Sequence, residues 1–132
     1  GGRKKDVIKS DVRKLVNKEL NAANKRFRTI ARPDEGQNIV REELEEVEQA
    51  LVPLKLHIET RMWNAVKANK TIPQEELHEI REMAIHLAGE AIQAAAMVKK
   101  FEHGQHRGWP GGKTLDSGTE SVSLKEKGRE AV

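Results

Sequence analysis

Glu43 and Glu46 stand three residues apart in an acidic stretch, and Glu90 and Gln93 repeat that spacing in an alanine-rich one. On a helix, residues i and i+3 share a face, so each pair aims two oxygen-bearing side chains at one point. Converging carboxylates repel one another unless a cation lies between them. A ligand set made only of oxygens suits Mg²⁺ or Mn²⁺. Two arrangements do without a metal. Glu43 can form a buried ion pair with an Arg or Lys of another helix, or the acidic side chains can simply be solvated.

Helical geometry sharpens the choice. At about 100° per residue, with Ile39 at zero, Val47 falls near ~80°, Val40 near ~100° and Leu44 near ~140°. Glu43 falls at roughly 40° on the same wheel, inside that apolar arc, and Glu46 lies at its edge. Glu42, Glu45 and Glu48 point elsewhere and read as a solvated face. From Met83 to Val98 only His86, Glu90 and Gln93 carry strongly polar side chains, and they form one stripe. An unpartnered carboxylate facing a core costs several kcal/mol, about 2–7 for a polar group, so these positions call for a partner or a proton.

The elements that must hold these groups are helices. Val7, Ile8, Val12, Leu15, Val16 and Leu20 recur at helical spacing, which predicts an amphipathic helix over residues 6–27 with a basic outer face. Arg32-Pro33-Asp34-Glu35-Gly36 breaks it, with Asp34 or Asn38 as the cap of a second helix over residues 37–50. Pro53 either kinks that helix or divides it from the apolar series Leu54, Ile58, Met62, Val66. Thr71 reads as the cap of a last helix, with Pro73 in its first turn and its end near Phe101. No segment alternates long enough to be a strand. The expected class is all-α, three to five helices, with a flexible tail over residues 103–132.

Charge divides the chain in the same way. Residues 1–33 carry eleven Lys/Arg against three acids, residues 34–102 eight against fourteen, and residues 103–132 five against four. The basic pI of 9.2 therefore conceals an acidic centre. Aromatics make up 3% of the chain, a poor supply for a base-stacking nucleic-acid surface. The absence of cysteine excludes disulfides and thiol catalysis and fits a reducing, cytoplasmic setting. The charge-free stretch Ala91–Val98 is far too short to cross a bilayer. The chain opens Gly-Gly-Arg-Lys-Lys, which reads as a fragment or a tag scar, and no apolar signal segment follows.

Two blocks in order, Glu35-Gly36-Gln37-Asn38-Ile39-Val40-Arg41-Glu42-Glu43-Leu44-Glu45-Glu46-Val47 and Gly89-Glu90-Ala91-Ile92-Gln93-Ala94-Ala95-Ala96-Met97-Val98, resemble the MazG-like all-α nucleoside triphosphate pyrophosphohydrolases. The likeness is to the short forms of phages and bacteria and spans residues 23–101. It implies a helical bundle that holds Mg²⁺, with Mn²⁺ as a substitute, and splits a nucleoside triphosphate into monophosphate and pyrophosphate. Carried over by position, Glu43 and Glu46 are the first ligand pair, Glu90 the third ligand and Gln93 the fourth. The broader family has Asp where Gln93 stands, and an amide there removes one negative charge from the site. Glu46 is the better candidate base, because Glu42 points away. Lys99, Lys100, Arg26, Arg28 and Arg32 are candidates to meet the phosphates. The resemblance also implies a homodimer or homotetramer in the cytoplasm of a bacterium or phage-infected host. Apolar stripes that one short chain cannot cover point the same way.

Other motifs are weaker. His103-x-x-His106 lacks an obvious third zinc ligand and reads as tail, and His86 reads as a core residue or a partner of Glu90. Trp63, among Met62 and Val66, reads as core, and Trp109 as a docking anchor. Two functions of other classes remain: a non-catalytic helical adaptor whose acidic helices bind a basic partner, and nucleic-acid binding through the basic first helix. The adaptor would not respond to divalent ions, and nucleic-acid affinity would fall steeply with salt.

Overall fold

In the computed structural model the described residues are 2–26, 29–30 and 32–106, with side chains described from residue 6 to 105. They form α1 (Gly2–Arg26), α2 (Pro33–His57), a π-helical turn (Ile58–Met62), α3 (Trp63–Lys67) and α4 (Gln74–His106). Among the described residues there is no strand, so the expected all-α class holds.

α2 starts earlier than periodicity places it. Pro33 occupies the first turn, where its missing N–H costs nothing, and Arg32 is the cap through its backbone, without a side-chain cap bond. Asp34 is therefore not the cap. It accepts two hydrogen bonds at 3.1 Å from the Arg32 guanidinium, and with Glu35 it places negative charge at the helix N-terminus. Pro53 lies inside α2 and does not end it. The rod continues to Lys67 through the π turn, where Thr60 Oγ1 donates at 2.6 Å to the Leu56 carbonyl, a back-bond that loosens the regular ladder.

The rod ends in a turn built on Asn69, whose φ of 54° is left-handed. Lys70 N–H reaches the Ala65 carbonyl at 3.0 Å and Asn69 N–H the Val66 carbonyl at 3.1 Å, the paired bonds of a Schellman stop. α4 then begins. The Pro73 carbonyl accepts from Glu76 and Leu77 N–H at 3.1 Å, so Pro73 and not Thr71 occupies the cap position. α4 runs on through residues 103–106, which continue the helix instead of opening the tail. Residues 107–132, with Trp109, lie outside the described residues.

α2 and α4 make the main contact and α1 packs on α4. Gly36 lies against Phe101, Glu43 and Glu46 beside Glu90, and His57 beside Glu76, so the α2–α4 pair is antiparallel. Among the described residues the buried apolar ones are Leu20, Ala23, Ile30, Ala50 and Ala96. Trp63 is not among them: it is 52% exposed on α3, whose main contact among the described elements is with the adjoining π turn.

Candidate metal centre

Glu43 and Glu46 descend from α2 and Glu90 rises from α4. One carboxylate oxygen from each lies within 4.8 Å of the others. This is the convergence expected of Glu43, Glu46 and Glu90. Glu43 and Glu90 are half-buried and Glu46 is exposed at the rim. Oε2 of Glu43 and Oε2 of Glu90 are shut off from solvent and have no hydrogen-bond partner. Among the described residues no Lys or Arg forms an ion pair with any of the three, so the buried-ion-pair arrangement is not adopted.

The electrostatic consequence falls on Glu43. Burial pushes its carboxyl above the usual range, and the charges of Glu46 and Glu90, a hydrogen bond to Glu46 and the charge of Glu19 add to the shift. Without a cation, a proton is the cheapest counterion available there. Glu19 comes from α1 and was not singled out by the spacing argument. It sits three residues after Val16 and four before Ala23, so it interrupts the apolar face of α1 as Glu43 interrupts that of α2. Arg26 stands 3.7 Å from it.

A cavity of about 620 Å³ opens from the cluster along the α2–α4 seam. Ala50, Pro53 and Met83 line its apolar part, while Glu46 and Glu90 mark one end and Glu79 and Glu82 the other. Gln49 and His86 complete it. His86 is exposed and not core, with Nε2 3.8 Å from Glu90 Oε1. Gln93 is exposed and is not among the residues lining the cavity.

The described residues expected to meet phosphates each have a partner within the chain. Lys99 Nζ donates to Asn17 Oδ1 of α1. Lys100 is 4% exposed, and its Nζ lies 3.5 Å from the Ala23 carbonyl at the C-terminal end of α1, a favourable place for a cation. Burial pushes its pKa down. Arg32 is engaged by Asp34, and Arg28 lies outside the described residues.

No family model, no curated protein and no solved structure matches this chain.

A second group of candidate ligands, His57, Glu76 and Glu79, clarifies the first by contrast. There His57 Nδ1 is 2.6 Å from Glu76 Oε1, and Arg61 lies 3.6 Å from Glu76 and 3.7 Å from Glu79. That group carries its own cationic partner and ties the end of α2 to the start of α4. Among the described residues the Glu43–Glu46–Glu90 group has no Lys or Arg partner, only His86 at 3.8 Å from Glu90, so its donor set fits a hard divalent cation.

Proposed function

We propose that the chain is a nucleoside triphosphate pyrophosphohydrolase dependent on Mg²⁺ or Mn²⁺, releasing monophosphate and pyrophosphate. The reading is carried by one observation: two buried carboxylate oxygens without partners, on facing helices, beside a third carboxylate. The resemblance of the two sequence blocks supports it, as does a cavity of about 620 Å³, a size suited to a nucleotide.

Glu43, Glu46 and Glu90 would hold the cation, which when bound neutralises phosphate oxygens and helps polarise a water. The chain's own residues account for the rest. Glu43 and Glu90, with half-buried carboxylates, favour binding over proton exchange with solvent. Glu46, at the exposed rim, is the group able to take a proton from the attacking water and release it to solvent. The apolar stretch of Ala50, Pro53 and Met83 offers the nucleoside a surface from which water is displaced.

The test is a panel of canonical and modified (d)NTPs with Mg²⁺ or Mn²⁺, scored for pyrophosphate. Turnover should require the metal and fall at least ~10²-fold in Glu43→Gln, a typical loss for a positioned catalytic group. A folded protein that releases no pyrophosphate and whose melting ignores divalent ions would leave the non-catalytic helical module in its place.

A further inference from the structure

The side chains lining the α2–α4 cavity divide by hydrogen-bonding type. Gln49, one turn after Glu46, and His86, one turn before Glu90, are the only ones that can donate a hydrogen bond without first taking up a proton. Both stand near the metal end. The far end bears Glu79 and Glu82, and no Lys or Arg lines the cavity. An ionised carboxylate accepts hydrogen bonds and offers none. Arg61 and Arg81 approach these two groups only as exposed pairs at 3.7 and 3.8 Å, which a ligand can displace at little cost.

Between the two ends lie Ala50, Pro53 and Met83, with no aromatic ring. A base resting there gains apolar cover and a thioether contact but no stacking partner, so its flat face is not what the site distinguishes. Its edge is. Glu82 and Glu79 stand eight and eleven residues before Glu90 on α4, about 12 and 17 Å along the axis. That is the span from a metal-bound α-phosphate, across the sugar, to the far edge of a base.

We infer that Glu79 and Glu82 read the edge of the base, and that the substrate class of this site is guanine nucleoside triphosphates. This assignment presupposes the hydrolase reading and narrows it. Among the common bases only guanine presents two adjacent donors, N1–H and the 2-amino group, which match the two oxygens of one carboxylate as a fork. Adenine and cytosine offer an amino group beside a ring nitrogen that accepts, and a carboxylate repels that nitrogen. Uracil and thymine turn carbonyl oxygens on both sides of a single N–H towards the same charge. Glu79 and Glu82 are each 55% exposed, so water competes for the contact and the preference is moderate.

The experiment is steady-state kinetics with Mg²⁺ or Mn²⁺, in which pyrophosphate release is compared for GTP, ITP, ATP, CTP and UTP and for their deoxy forms. ITP decides most, because its base differs from guanine only in lacking the 2-amino group. For the wild type, kcat/KM for GTP should exceed that for ITP and for UTP by about tenfold, the discrimination of a bidentate contact, and dGTP should follow GTP. Glu79→Gln with Glu82→Gln should lower kcat/KM for GTP about tenfold, through KM more than kcat, and bring the ratio of GTP to ITP close to one. Circular dichroism checks that the double variant keeps its helix content; should it not, the wild-type ratios decide alone. Equal use of GTP and ITP by the wild type overturns the inference and leaves the hydrolase reading standing. So does a guanine preference that the folded double variant retains. A preference for every ribonucleotide over its deoxy form, whatever the base, would put sugar hydroxyls at these carboxylates and overturns it as well. Pyrophosphate release from none of the triphosphates overturns both readings.

Discussion

Glu43 concentrates the unfavourable electrostatics of this fold. A like-charge pair at about 5 Å costs about 1–3 kcal/mol between bulk-water and protein-surface dielectrics, and Glu43 faces two such neighbours while half-buried. Its pKa is raised, so the native state holds its proton to a higher pH than the unfolded chain does. Stability from this group is therefore complete below the unfolded value near 4.5 and is lost as pH rises through the raised native value. In chelator, Glu43→Gln should melt higher than wild type at pH 7–8, by about 1–3 kcal/mol of stability. That gap should close as the pH is lowered towards 4.5; melting curves across pH measure it. With Mg²⁺ or Mn²⁺ at ~100 times its Kd, wild type should gain about 2.7 kcal/mol while Glu43→Gln gains little. Gln93 gives the opposite expectation. Its exposure and its lack of charge predict that Gln93→Ala changes divalent affinity less than twofold, roughly 0.4 kcal/mol. Calorimetric titration with Mn²⁺ checks this.

At the scale of the element, two glycines should respond in opposite ways. A Cβ on Gly36 would collide with the Phe101 ring, whereas a Cβ on Gly89 would meet nothing within 4 Å. Gly36→Ala therefore forces α2 and α4 apart or moves the ring, a loss of about 1–3 kcal/mol. Gly89→Ala relieves backbone entropy in an exposed helix interior and should gain up to about 1 kcal/mol. Urea titrations of the two variants would show midpoints moving in opposite directions. The Glu35-Gly36 lead-in of the first sequence block thus acts through packing, because Gly36 lets Phe101 approach and so sets the register that brings Glu43 opposite Glu90. Pro53 shows the reverse relation. Its local signal for a break is overridden because α2 packs along α4 on both sides of it.

For the whole molecule, the small buried set decides the behaviour. Leu20, Ala23, Ile30, Ala50 and Ala96 include three alanines, while Val7, Ile8, Val52, Leu56 and Trp63 are each more than half exposed. A lone chain with so little buried apolar surface is only marginally stable. If a second copy covers part of that exposed surface, association and folding are linked. The melting temperature should then rise with protein concentration, by several degrees over a hundredfold range, because dimerisation draws on the folded state alone. Differential scanning calorimetry at graded concentrations tests this; a midpoint independent of concentration would mean that the chain melts as a monomer.

The helical class, the inward position of Glu43 and the shared face of Glu43 and Glu46 were legible in the sequence, because apolar periodicity and i, i+3 geometry are local properties of the chain. Several matters were not. Residues 103–106 join α4, Trp63 faces outward, and Glu19 adds its charge from α1. The lysines expected at the phosphates are engaged at the α1–α4 contact. Each of these depends on which faces of neighbouring helices meet and at what rotation, which is set by packing between residues far apart in the chain. The sequence alone could place carboxylates on two rods, and only the antiparallel docking of α2 on α4 decided that three of them share one point, with no Lys or Arg paired to them among the described residues.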